Sequence, residues 1–357
     1  MKKIISLKML RNLIFFIILI FLTFWFIFKD QDMGELFNVV KSANKFYILL
    51  AIFVMLLYYL MEAFNVKSLL KAFGNKISIF NALKFTWIGF FFSSITPAAS
   101  GGQPVEIYYM TKEKISGPHA TMTLLIQLCG FQISTISLGI ICAIINPTVL
   151  QSGLIWLFLL GLTINGFALA VMLICVFSKR LTKKIVNIFI KILKIFRVKN
   201  IEEKRVKIEE GLEKYNESSV FIKSNKNEFV KAILRVFIQI CLYYSIPFFV
   251  YKAFGLSSHN FFEIFTMQAV LYTTVSGLPL PGAIGVSESV FLGIFEGVFG
   301  KELLSGAMLL SRGITFYWYV IVSLGVVVIN AILMKNVKGE IDNEIIEFDE
   351  KESQALV

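Results

Sequence analysis

SSITPAASGGQPVEIYY at residues 93–109 and VSGLPLPGAIGVSESVF at residues 275–291 interrupt two otherwise apolar runs, Ile79–Ile95 and Phe261–Leu278. A second, partly apolar piece follows each interruption, Val105–Met110 and Ala283–Phe299 respectively. Proline removes a backbone donor, and glycine admits conformations closed to other residues. Irregular backbone at membrane depth survives only where protein buries it or where it lines a wet cavity. The spacing therefore predicts two helical hairpins broken inside the bilayer. The alternative is a pair of surface loops, against which the apolar flanks argue. In both stretches a proline leads to a glutamate nine residues later, Pro97 to Glu106 and Pro279 to Glu288.

Outward from these breaks the chain is built for lipid. Of its 357 residues 57% are hydrophobic and only 17% charged, with a mean hydropathy of +0.74; a soluble domain of this length needs more charge to wet its surface. Apolar runs long enough for a core of roughly 30 Å are expected at Leu13–Phe28, Phe46–Phe64, Ala120–Ile145, Leu150–Phe177, Phe229–Tyr251 and Leu304–Met334. The first ends in Phe-Trp-Phe-Ile-Phe-Lys without a small-residue cleavage site, which reads as a retained signal anchor.

Basic residues set the orientation. The N-terminus, the Lys67–Lys76 loop and the Lys179–Lys231 loop are rich in Lys and Arg and are expected to be cytoplasmic. Lys335 and Lys338 place the C-terminus on that side too. These assignments agree only if Ile79–Met110 and Phe261–Phe299 enter the membrane and return. The fold expected is an all-α polytopic membrane protein with about six crossing helices plus two re-entrant helical hairpins in an inverted repeat. Repeat one is 46–145, repeat two 229–334, with a basic loop at 178–228. The membrane domain spans 1–335, and an acidic cytoplasmic tail spans 336–357. Inverted repeats with interrupted helices in matching positions are the mark of a transporter whose site lies at the repeat interface.

Other classes find little material. Cys129, Cys142, Cys175 and Cys241 lie in apolar runs without CxxC spacing, and His119 and His259 are far apart in sequence; neither a metal site nor a Ser-His-Asp triad is expected, and no cofactor. No GxxxxGK[ST] motif is present. Lys179–Lys199 carries eight Lys and Arg and no acid, with Ile185, Ile188, Phe189, Ile192 and Phe196 at helical spacing. This is either a surface helix on anionic lipid or ordinary positive-inside bias. Nucleic acid is not an expected partner unless the chain is a transferase that draws on tRNA, for which only the Lys179–Lys231 loop could offer a surface.

Candidate binding residues come from the breaks and the last span. Pro97, Gly101, Gly102 and Gln103 lie in one break; Pro279, Pro281, Gly282 and Gly285 lie in the other. Half-helices that start there point N–H groups at an anion such as a lipid phosphate. Glu106 and Glu288 either cap those groups or meet a cationic headgroup, since an ionisable residue at this depth has a partner or a task. Arg312 either snorkels to the interface or faces the cavity as counter-charge to Glu288 or to a phosphate. Gln127, Gln132, Tyr108, Tyr109 and Tyr317 are candidates for a polar path, and Glu62, near Lys67, is expected at the interface.

TPAASGGQPVEIYYM (96–110), LPLPGAIGVSES (278–289) and the pair Arg312 and Tyr317 resemble the lysylphosphatidylglycerol synthase transmembrane-region family, over roughly residues 10–335. That resemblance implies a flippase-like domain, which in the multiple peptide resistance factor translocates an aminoacylated phospholipid. There a separate cytosolic domain makes the lipid from aminoacyl-tRNA. The short stretch after Lys335 offers no room for such a domain, so phosphatidylglycerol lysyltransferase activity is the alternative and lipid handling the leading expectation. The implied partners are membrane lipids, an anionic phospholipid or lipid-linked substrate such as a polyprenyl phosphate, and a separate lipid-synthesising enzyme; the implied setting is a bacterial cell membrane. Some relatives carry a Glu-Arg pair in the third crossing, where this chain reads LLIQLCGFQ (124–132).

Overall fold

The computed structural model describes residues 33–96, 99–150, 153–178, 180–184, 215–217, 219–278 and 280–333, with the single positions Ile14, Ile18, Phe21, Trp25 and Asn187. The anchor Leu13–Phe28, the basic stretch Lys179–Lys199 and the tail 336–357 fall wholly or mainly outside these residues, as do Pro97 and Pro279.

Every element described is helical. A short helix α1 (Met33–Ser42) leads into α2 (Lys45–Ala72), then α3 (Ile79–Ser94), α4 (Gly102–Lys112) and α5 (Gly117–Ile145). After a 3-10 turn at Pro147–Leu150 come α6 (Leu154–Phe177), α7 (Lys226–Ala253) and α8 (Phe261–Val275). A 3-10 turn at Pro281–Ala283 precedes α9 (Val286–Arg312), a π-helical turn (Gly313–Tyr317) and α10 (318–333). Among the described residues α2, α5, α6, α7 and the Pro281–Leu333 unit are long and apolar enough to cross a membrane. The protein is thus a multi-pass helical membrane protein.

The remaining helices are too short to cross. At 16, 11 and 15 residues, α3, α4 and α8 reach about 24, 17 and 23 Å at ~1.5 Å per residue, against roughly 30 Å of hydrocarbon. Helices α3 and α4 fold back on each other, since Lys84 bonds Glu113 and Gly89 lies against Glu106. Helices α8 and α9 also pack together.

The two halves repeat each other. Helices α2 and α7 both have 28 residues, and their starts differ by 226 − 45 = 181 positions. Both end in Lys-Ala-Phe-Gly, at 71–74 and 252–255. The two glycines, Gly74 (φ 84°) and Gly255 (φ 74°), close the helices in the left-handed region. Ser78 then caps α3 through Asn81 N at 3.0 Å, and Asn260 caps α8 through Glu263 N at 3.0 Å. The next helix, α5, follows a turn at 113–116; in the second half Gly300 (φ 69°) kinks α9 at the corresponding place.

Contacts between the equivalent helices fix their relative direction. Asn44 N donates to Ala253 O (2.7 Å), the Tyr58 ring meets Tyr243, Gln239 bonds Glu62 (3.1 Å) and Arg235 bonds Asn65 (3.3 Å). As one number rises the other falls, so α2 and α7 are antiparallel and the repeat is inverted. One expectation changes: Lys67 and Lys71 are not in a loop, because α2 continues through Ala72. Val66, Leu69 and Leu70 are buried, and that packing carries the helix past the end of its apolar run.

Small residues bring the helices close, as is usual where lipid offers no hydrophobic drive between them. A Cβ on Gly161 of α6 would lie 2.8 Å from Thr274 O of α8, whereas nothing lies within 4 Å of a Cβ on Gly166. Gly161→Ala is expected to cost about 1–3 kcal/mol by overpacking, and Gly166→Ala to be neutral or slightly stabilising; thermal unfolding of the two variants in detergent checks the contrast.

Candidate functional site: a polar cavity between the repeats

Both repeats contribute to a central cavity of about 520 Å³. Glu62 of α2 and Arg312 of α9 are the two charged side chains in its described wall. Around them stand Gln103 from α4, Gln127 and Gln132 from α5, and Gln239 from α7. Tyr58, Tyr243 and Tyr272 add aromatic faces.

Arg312 is held by the second break. Gly282 (φ 58°) and Gly285 (φ 87°) turn the chain, and α9 starts so that Glu288 is its third residue. From there Glu288 Oε2 accepts the Gly285 N–H at 2.7 Å, capping the helix. Its other oxygen accepts from Arg312 Nε at 2.7 Å and from the Tyr317 hydroxyl at 2.9 Å. Arg312 Nη2 also donates to Gly282 O at 3.1 Å, and the guanidinium lies 4.6 Å from the Phe316 ring centre. Glu288 and Arg312 are 1% and 8% exposed, a burial tolerable only because each charge is met by the other and by these further bonds. The π turn begins at the residue after Arg312; such turns often mark functional positions.

The first break is built differently. Helix α4 begins at Gly102, so Glu106 is its fifth residue and makes no cap; Gly101, at the N-cap, has no side chain to cap with. The capping alternative for Glu106 therefore does not hold. Gly102 is pressed against α3, where a Cβ would sit 2.6 Å from Gly89 O. The Gly101 N–H donates to Thr96 Oγ1 at 2.9 Å.

Of the residues singled out in the sequence, Gln103, Gln127, Gln132, Gly282 and Arg312 stand in the cavity wall. Gly285, Glu288 and Tyr317 stand behind Arg312 and position it. Pro281 is buried in its 3-10 turn, and Gly101, Gly102 and Glu106 pack the first hairpin. Tyr108 is exposed.

Glu62 requires a correction. It is not interfacial; it lines the cavity and ends a buried chain of amides. Gln239 Nε2 donates to Glu62 at 3.1 Å, Gln127 Nε2 to Gln239 Oε1 at 3.2 Å, Asn65 to Gln127, and Arg235 Nη1 to Asn65 Oδ1 at 3.3 Å. The sequence signal was available: Glu62 and Asn65 share one helical face three residues apart. Among the described residues no group of three or more His, Cys, Asp or Glu side chains gathers to hold a metal.

An inverted helical repeat with broken hairpins around a polar cavity defines a class of membrane protein. The sequence pattern of the lysylphosphatidylglycerol synthase TM region matches residues 12–323, and the chain belongs to that family. It is also similar to a UPF0104 membrane protein of Archaeoglobus fulgidus, 23% identical over 327 residues, covering 87% of this chain and 94% of the relative.

Arg312→Met alone leaves Glu288 buried without its counter-ion and is expected to cost about 3–5 kcal/mol. Pairing it with Glu288→Gln is expected to cost less than the sum of the single changes. Thermal unfolding of the four proteins in this double-mutant cycle tests that coupling.

Proposed function

We propose that the protein binds the headgroup of a phosphate-bearing lipid in this cavity and passes it between leaflets. The observation that carries the reading is the joint presence of Arg312 and Glu62 in one wall built from both repeats. A cavity of about 520 Å³ suits a headgroup, within the roughly 300–1,000 Å³ usual for small-ligand sites; the acyl chains remain in the surrounding hydrocarbon. Arg312 is oriented by Glu288 and Gly282 O to offer its remaining N–H groups to a phosphate. Glu62, with the faces of Tyr58, Tyr243 and Tyr272 near it in the wall, suits an ammonium group.

An aminoacylated phospholipid carries both groups and is the first substrate class; a polyprenyl phosphate carries the phosphate alone. The antiparallel α2–α7 pair is the seam on which one repeat rocks against the other, exposing the headgroup to either side. In this reading the protein sits in a bacterial plasma membrane with both termini cytoplasmic, and a separate enzyme supplies the lipid. Family membership supports lipid handling, since the family takes its description from a lipid synthase's membrane region.

The test is translocation of labelled lipids in proteoliposomes, with native mass spectrometry of the lipid that co-purifies. Glu62→Gln is expected to slow an aminoacylated phospholipid by about tenfold or more, the worth of one charged hydrogen bond at ~1.5–3 kcal/mol, and to leave a polyprenyl phosphate unaffected. No lipid movement by the wild type in either form would remove the reading.

A further inference from the structure

The two glutamates that follow the breaks occupy equivalent places, 288 − 106 = 182 positions apart, close to the offset of the whole repeat. Their surroundings differ. Glu288 has an arginine, a tyrosine hydroxyl and a backbone N–H. Glu106 is 6% exposed, and its Oε1 is buried with no hydrogen-bond partner. Its side chain is confined: a Cβ on Gly89 of α3 would lie 2.6 Å from Oε2.

No cation faces it among the described residues. On α3 the nearest basic side chain in sequence, Lys84, is engaged by Glu113. On α5 the titratable groups are His119, bonded to Asn75 at 2.9 Å, and the thiols Cys129 and Cys142. Tyr109 on α4 itself bonds Asn330 of α10. The charged group that does act on Glu106 is another carboxylate, Glu62 of α2. Thr86 Oγ1, one turn before Gly89 on the same face of α3, is also buried without a partner.

An ionised carboxylate buried without a partner is costly, and a proton on it removes that cost. We infer that Glu106 is a proton-binding site whose loading and unloading accompany headgroup movement, an inference that rests on the transport reading above. An O–H bond forms on the carboxylate with a proton from the aqueous phase on one side. It breaks when the proton leaves to the other, and no further reactant is needed. Glu288 is not available for this part, because its two oxygens are already taken by Arg312, the Tyr317 hydroxyl and the Gly285 N–H. Glu62 lines the cavity, so a cationic headgroup arriving there alters the field at Glu106 and links the two events.

The experiment is lipid movement in proteoliposomes under an imposed pH difference, with wild type and Glu106→Gln, which keeps the shape of the loaded side chain. With one proton per lipid, one pH unit shifts the wild-type distribution of labelled lipid about tenfold, and Glu106→Gln removes the response while still binding lipid. Infrared spectra are expected to show a carboxylic-acid C=O band in the wild type that Glu106→Gln lacks. Lipid movement indifferent to the gradient, or a variant that responds like wild type, overturns this inference and leaves the transport reading standing. Absence of the acid band overturns the proton site. A wild type that moves no lipid under any gradient overturns both.

Discussion

A helix that ends inside hydrocarbon leaves N–H and C=O groups with no water to meet them, and this requirement governs the structure. At the second break the Gly285 N–H is taken by Glu288 and the Gly282 carbonyl by Arg312. One ion pair thus satisfies backbone on both sides of the interruption and places a guanidinium in the cavity wall. At the first break a threonine takes the Gly101 N–H, and Gly102 packs closely against α3. Ala99 and Ala283, both at φ 52°, hold the left-handed conformation that alanine seldom adopts, one in each break.

Between the breaks, the antiparallel α2–α7 pair carries the polar contacts that are costly to bury. The row from Arg235 through Asn65, Gln127 and Gln239 to Glu62 ties three helices together. Each amide in it gives and receives, so none is left orphaned. The row fixes helix register as well as polarity, because a slide of α2 or α7 by one turn would break three of its four links.

Much of this was legible in the sequence. The Gly/Pro interruptions announced the hairpins, and the basic loops required them not to cross; Phe229–Tyr251 fell within α7 as formed. The repeat rested on a Pro-to-Glu spacing, while the plainer signal, Lys-Ala-Phe-Gly closing both α2 and α7, lay at helix ends that apolar runs do not mark. Glu62 was misplaced because the apolar run ends beside it, although buried Val66, Leu69 and Leu70 carry the helix two turns further. Nor does spacing disclose that Glu106 is the fifth residue of its helix and Glu288 the third. That difference comes from where each break lets the helix start, which depends on tertiary packing. The anchor at Leu13–Phe28 and the basic stretch at Lys179–Lys199 lie mainly outside the described residues.

The wide turn at Gly313–Tyr317 has a bearing on everything after it. A π turn accommodates one residue more than an α turn, and each residue is worth about 100° around the axis. The extra residue rolls the 318–333 segment by that angle relative to α9, so that Tyr319 is buried and Trp318 faces outward. Removing a single residue from the turn would restore a plain α-helix yet exchange the stripe that greets the acyl chains for the one that greets the protein. The length of those five residues, more than their identity, is what the last helix has to keep.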